Sequence, residues 1–315
     1  MSRFVIKRLL MMIPVLLGVS VLVFTLISLT PGDPASFILG SDATQEQIDA
    51  LNEQLGYNKP LPIRYWDYLS GVLRLDFGTS YTSNLPIVEE LASKVPISIV
   101  VAFTGIAGAV IVGVPIGVLS AVKQYSLLDI IPTGIAICLA SAPSFWIGLM
   151  LMMELSLKMK LLPSFGVEQP GWFILPMLTL VSLYGSSMMR QTRSSVLETI
   201  RQDYIRTVRA KGATERVVIW KHALKNALLP VITAAGNSFG LLLGGAIVCE
   251  TLFSLPGLGT FIVNGIKKKD IPVVMGGTLT LAAMFALVML AVDIIYAFAD
   301  PRVKARYAKA AAKKG

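Results

Sequence analysis

The sequence predicts an all-α polytopic membrane protein with six transmembrane helices, and three observations carry that reading. Of 315 residues, 54% are hydrophobic and only 15% charged, where a soluble domain carries about 25% charge. The apolar residues fall in blocks close to the roughly 20 residues that cross a bilayer as a helix. The basic residues gather in loops beside those blocks, as they do where positive charge marks the cytoplasmic side. The net charge of +9 is therefore topology and not a nucleic-acid-binding face.

The first span, roughly 9–29, follows Arg3, Lys7 and Arg8. It is too long for a signal-peptide core and has no clear cleavage site after it, so residues 1–29 read as a retained tail and helix. The second span is roughly 97–121, the third 130–157, the fourth 172–189, the fifth 228–249 and the sixth 272–299. An even number puts both termini on one side. The bases at the N-terminus, and Arg302, Lys304, Arg306, Lys309, Lys313 and Lys314 in the basic tail 300–315, make that side cytoplasmic. Lys123 and the basic loop before the fifth span agree. Lys267, Lys268 and Lys269 would face outward, a tolerated exception late in the chain.

Residues 30–95 form the largest outward piece, with nine acids against four bases. Thr44 with Gln47 makes a capping box, Ile48, Leu51 and Leu55 follow at helical spacing, and Gly56 ends the turn. Pro62 opens a second helix whose Ile63, Trp66, Leu69 and Leu73 form one stripe. This small helical extracytoplasmic segment docks a partner, lies on the membrane surface, or covers the span ends as a lid. The residues leave all three open.

Inside the spans, Gly105, Ala109, Gly113 and Gly117 share one face of the second, and Gly236, Gly240 and Gly244 one face of the fifth. Small residues at this spacing let membrane helices approach closely. For the second span that reads as packing within the chain, and for the fifth as contact with another subunit or a pathway wall. Glu154, Glu250 and Asp293 are the ionisable residues within the spans. Glu154 falls near the outer end of the third, Glu250 at the outer end of the fifth within reach of water, and Asp293 two turns before Arg302, a candidate ion-pair partner. No carboxylate lies at mid-bilayer, which argues against proton coupling. Cys138 and Cys249 sit in apolar segments, His222 is the single histidine, and no metal cluster or P-loop motif occurs. An enzyme reading has no support.

The loop 190–227 carries Arg201, Arg206, Arg209, Lys211, Arg216, Lys221 and Lys225. A helix is expected from about 194 to 211, broken by Gly212, with a second helix through Val217, Val218 and Trp220 toward Leu224 and Leu228. Such an elbow presents a rigid knob to a soluble partner and continues into the fifth span.

The elbow resembles the EAA loop of bacterial ABC importer permeases, in the oligopeptide/dipeptide/nickel subfamily. The residues are Asp203-Tyr204-Ile205-Arg206-Thr207, Arg209-Ala210-Lys211-Gly212, His222-Ala223-Leu224-Lys225-Asn226-Ala227 and Leu229-Pro230. Pro31-Gly32-Asp33-Pro34, Asp76-Phe77-Gly78-Thr79-Ser80, Thr192-Arg193-Ser194-Ser195, Glu250 with Phe253 and Pro256-Gly257-Leu258-Gly259, Asp270-Ile271-Pro272-Val273-Val274, and Asp293, Tyr296 and Asp300-Pro301-Arg302 agree in order. Arg206-Thr207-Val208 stand where the general pattern has Glu-Ala-Ala, and His222-Ala223-Leu224-Lys225 where it has an apolar-x-Leu-Pro element. Both departures resemble the peptide subfamily.

The resemblance implies the type I importer permease fold, with residues 96–299 as the core permease domain in the cytoplasmic (inner) membrane. It implies a homologous second permease, two cytoplasmic ATPases and an extracytoplasmic substrate-binding protein. ATP and magnesium would reside on the ATPases, and this chain would bind no cofactor. Tyr204, Arg206, Thr207, Arg209, Ala210, Lys211, Gly212, Ala213 and Thr214 would meet the ATPase. Peptides are the first expectation for cargo, with nickel or its chelate, glutathione and short oligosaccharides as alternatives. A carrier or channel working alone is the competing class, and a scaffold without transport a third.

Overall fold

A computed structural model describes residues 2–29, 32–40 and 42–299; the side-chain surroundings of residues 2–4, 244–245 and 296–299 lie outside the description. The described residues form helices and turns, with one isolated bridge between Thr79 and Pro86. In chain order the helices are α1 (Ser2–Leu29), α2 (Pro34–Leu39), α3 (Gln45–Gln54), α4 (Leu61–Val72), α5 (Ile87–Val122), α6 (Leu127–Ser141), α7 (Ser144–Leu151), α8 (Ile174–Ile200), α9 (Asp203–Ala210), α10 (Glu215–Val217), α11 (Leu224–Gly245), α12 (Ile247–Leu252), α13 (Leu258–Lys267) and α14 (Ile271–Ala299). Single π-helical segments, Met152–Lys158 and Val218–Ala223, extend α7 and join α10 to α11.

Among the described residues, four helical stretches are long and apolar enough to cross a membrane: Val5–Leu29, Ile87–Val122, Glu215–Leu243 and Ile271–Ile295. The third expected span is not one straight helix. Its two halves, Leu127–Ser141 and Ser144–Lys158, bend by 106°. Pro143 explains the break: it cannot donate a backbone hydrogen bond and pushes the preceding Ala142 into the extended region, at ψ 137°. Glu154, past this bend, is exposed and pairs with Lys158 at 2.5 Å.

The centre is the pair α5 and α8, held at backbone contact by the predicted small-residue stripe. A Cβ on Gly113 would stand 2.6 Å from the carbonyl oxygen of Gly185, one on Gly117 would stand 2.5 Å from that of Met189, and Gly105 lies under Leu180. Around this pair, Val101, Ala102, Leu175, Leu180, Leu242, Leu243 and Ala246 form the main core. The glycines of α11 do not face outward as expected. Gly236 sits beneath Val292 and Gly240 beneath Phe285, both on α14 of the same chain; Gly244 falls among the residues whose surroundings are not described. Helix α1 lies on α14, with Val23, Phe24 and Ile27 against Ile271, Val273, Val274 and Met275. Toward the other end of this pair, Arg8 Nη1 meets Asp293 Oδ2 at 2.8 Å. Arg302, the partner expected from sequence, lies outside the described residues.

The described residues between α1 and α5 fold as a helical cap, and α5 itself begins at Ile87, inside the expected outward segment. The capping box of Thr44 and Gln47 forms, and Gly56 takes the left-handed conformation, φ +69°, that ends the turn after α3. Asp33 caps α2 and also accepts from Asn52 Nδ2 at 2.9 Å, so α2 and α3 are tied together. On α4 and its C-cap, Ile63, Trp66 and Leu73 of the expected stripe are exposed, while Leu69 is half-buried.

The α5–α8 contact gives a test. Gly113→Leu forces a side chain into backbone and should lower stability by about 2 kcal/mol or more, read as a fall in melting temperature of the detergent-solubilised chain. Gly134→Ala, mid-helix in α6 with nothing within 4 Å, should not lower stability and should raise it by up to about 1 kcal/mol.

Candidate functional site

The predicted elbow is present, with one correction. The helix expected across 194–211 is broken at Arg201–Gln202: α8 runs to Ile200, Gln202 turns extended at ψ 149°, and α9 begins at Asp203. A straight continuation would carry Ile205 into water. The break instead folds α9 back, so that Ile205, fully buried, packs with Val218 and Ala223 and against Ile200, Val208 and Ala213. Apolar burial of one such side chain is worth about 1.5–3 kcal/mol.

Gly212 closes α9 as predicted. Its φ is +80°, and its N–H donates to the carbonyl oxygen of Arg209 at 2.9 Å. A side chain there would meet nothing within 4 Å, so only the backbone conformation calls for glycine. Across the turn, Arg209 forms a fork on Glu215, Nε to Oε1 at 2.7 Å and Nη2 to Oε2 at 3.3 Å. The resemblance assigned Arg209 to a partner surface; in this chain its charge is engaged within the elbow. Tyr204 Oη accepts from Asn226 Nδ2 at 2.8 Å, joining α9 to the first turn of α11. Thr207 Oγ1 donates to the carbonyl of Asp203, and Ala213 is half-buried in the apolar base.

What remains outward is a cationic tip. Arg206, 3.6 Å from Asp203, is exposed with Ala210, Lys211 and Thr214. Val217 and Trp220 extend this surface with apolar area, 41% and 58% exposed. The sequence treated these two only as helix formers; their helical spacing on the face opposite Val218 is the signal that marks them. The elbow's second arm runs through the π-helical turn into α11, a local geometry that often marks functional sites. At its base Ile219 and Ala227 pack with Val118, Ala121 and Val196 of α5 and α8. The foot of the elbow is thereby packed against three of the long helices.

Beside this base lies a group that sequence reasoning missed. Asp129, buried, accepts from Arg193 Nε at 2.6 Å and Nη2 at 2.8 Å, from the Tyr125 N–H at 3.0 Å and from Ser120 Oγ. The signal was Arg193 just past the fourth span, where a largely buried guanidinium requires a counter-charge. At the cap end Glu250 does not reach water as expected. It is 1% exposed, accepts from Ser98 Oγ at 2.5 Å and from the Thr260 N–H at 3.0 Å, and Gly257 and Gly259 leave room for it. Asp270, also buried, accepts from Ser80 Oγ at 2.6 Å and the Thr82 N–H at 3.0 Å. Lys269 donates to the carbonyl of Gly32 at 2.6 Å, which gives one of the three exceptional lysines a task.

Residues 113–305 match the family described as binding-protein-dependent transport system inner membrane component, and residues 1–102 its N-terminal region. The chain is 41% identical to the glutathione transport system permease protein GsiC of Salmonella choleraesuis, over 96% of this chain and 99% of the relative. It is 40% identical to the dipeptide transport system permease protein DppB of Alkalihalophilus pseudofirmus, over 96% and 100%. Among solved structures it resembles a chain of the inward-facing MetNI methionine ABC transporter, with a TM-score of 0.55 and 20% identity over 68% of this chain and 97% of the other.

Breaking a buried ion pair by removing one partner costs about 3–5 kcal/mol. Asp129→Ala should lower the stability of the purified chain by about that amount, measured by thermal unfolding. Exchanging Asp67, whose pair with Lys59 is exposed, should cost less than about 1 kcal/mol.

Proposed function

The chain belongs to the binding-protein-dependent transport inner-membrane component family, and from that premise we propose that it is the permease subunit of an ATP-driven importer of short peptides. Six crossings with both termini in the cytoplasm belong to this reading: the four long apolar stretches and the bent pair α6–α7 support five of them, and the less apolar helix α8, packed along α5, is read as the sixth. The elbow then lies in the cytoplasm and the helical cap outside.

The observation that carries the mechanism is the continuity of the elbow with α11. A soluble ATPase grips the tip formed by Arg206, Ala210, Lys211 and Thr214. Closure of two ATPases on ATP moves the tip, and the buried seat of Ile205 keeps α9 from yielding. The displacement passes into α11 and, through Ile219 and Ala227, into α5 and α8. A homologous second permease completes the pathway, and an external binding protein delivers the cargo. The names of the relatives support a peptidic cargo, since glutathione is itself a tripeptide.

Reconstitution with both permeases, two ATPases and the binding protein tests this. Labelled dipeptide should enter proteoliposomes only with ATP, and competition by glutathione would show which peptide class is preferred. Uptake by this chain alone, without nucleotide, would overturn the reading. Gly212→Val strains a left-handed residue by about 1–3 kcal/mol and should abolish uptake while insertion and ATP hydrolysis persist. Gly212→Asn, which tolerates that conformation, should retain most uptake.

A further inference from the structure

We propose that α4 is an interfacial helix whose outward face lies in the lipid of the leaflet at the cap end. The inference rests on α1 crossing the bilayer and is independent of the cargo. Helix α4 is amphipathic in the inverted sense. Its polar and aromatic side faces the protein: Tyr65 Oη shares a hydrogen bond with Ser20 Oγ at 2.8 Å, its ring meets Phe24 edge-on, and the Arg64 guanidinium stacks 4.0 Å from the Tyr57 ring centre. Its outward side carries Ile63, Trp66 and Leu73, 49%, 66% and 79% exposed. A helix washed by water would be arranged the other way.

Depth identifies the occupant. At about 1.5 Å per residue, Ser20 and Phe24 lie roughly 13 Å and 7 Å inside the Leu29 end of α1. Phe24 packs with Met275, inside the first turns of α14, so the two spans end at a similar level. Helix α4 thus meets α1 roughly 7–13 Å below the end of the membrane-crossing segment, a range that overlaps the depth of about 5–10 Å to which interfacial helices bury their apolar face. Helix α1 itself is apolar and exposed at the same level, with Val21, Leu22 and Leu26 48%, 58% and 59% exposed. Trp66 is the residue type that anchors at this level. Arg64 is stacked inward, Asp67, exposed at the edge of the face, is paired with Lys59 at 3.0 Å, and Arg74, exposed just past the end of α4, is long enough to hold its charge at the headgroup level.

A nitroxide label tests the proposal on the full chain in phosphatidylethanolamine–phosphatidylglycerol bilayers. It is placed by Trp66→Cys, and separately by Leu73→Cys, with Cys138 replaced by serine; Cys249 is buried. Asp49→Cys on α3, which is exposed, is the aqueous control. The expected result is relaxation by dissolved oxygen at both α4 positions with loss of relaxation by an aqueous nickel chelate, while position 49 responds to nickel. Nickel access at positions 66 and 73 equal to that at 49 places the helix in water and overturns the proposal. Protection from both reagents places protein over the face and overturns it as well. If the Trp66 variant does not fold, the Leu73 variant decides.

Discussion

The burial of Ile205 between Val218 and Ala223 is the contact on which the rest depends. Seven bases in a loop would otherwise repel one another and sample water. One apolar side chain, turned inward by the extended residue Gln202, makes α9 a solid body against the foot of α11. The other interactions of the elbow follow from that seat. The Arg209–Glu215 fork spans a turn already closed by Gly212, and the Tyr204–Asn226 bond spans a gap already narrowed by the packing. Surface ion pairs are worth little alone; here they set direction, and the apolar seat supplies the stiffness.

Away from the elbow, the polar groups of this membrane protein act as clips between helices. Asp129 with Arg193 joins α6 to α8, Arg8 with Asp293 joins α1 to α14, Ser98 with Glu250 joins α5 to α12, and Ser80 with Asp270 joins the cap to the start of α14. Asp129, Glu250 and Asp270 lie buried, where an unpaired carboxylate is costly and a satisfied one specific; Arg8 and Asp293 are partly exposed. Between the clips the helices touch through glycine, where the gap admits no side chain. Helices joined in this way move as bodies, which suits a protein that transmits displacement.

Much of this was legible in the sequence because it rests on local rules. The capping box at Thr44, the stops at Gly56 and Gly212 and the stripe of Gly105, Gly113 and Gly117 each depend on a few neighbouring residues. What escaped depends on partners distant in sequence. Glu250 reads as a carboxylate reaching for water until Ser98 and the Gly257–Gly259 turn are seen to enclose it. Gly236 and Gly240 of α11 read as an interface until Val292 and Phe285 cover them. Two misreadings were local. Pro143 within an apolar run signalled the 106° break, and the unbroken hydropathy masked it. The elbow's first helix was drawn straight because nothing at Arg201–Gln202 is a helix breaker; the turn is imposed by the burial of Ile205.

The account stands on the tip of the elbow touching a separate nucleotide-hydrolysing subunit. Its most direct measurement places a photo-activatable cross-linker at Lys211 in the assembled transporter and identifies what it captures. The account predicts a covalent adduct with the ATPase, formed from the cytoplasmic face and lost when the ATPase is withheld. Reaction of that position from the opposite face, or an assembled and active transporter in which it captures no ATPase, would contradict it.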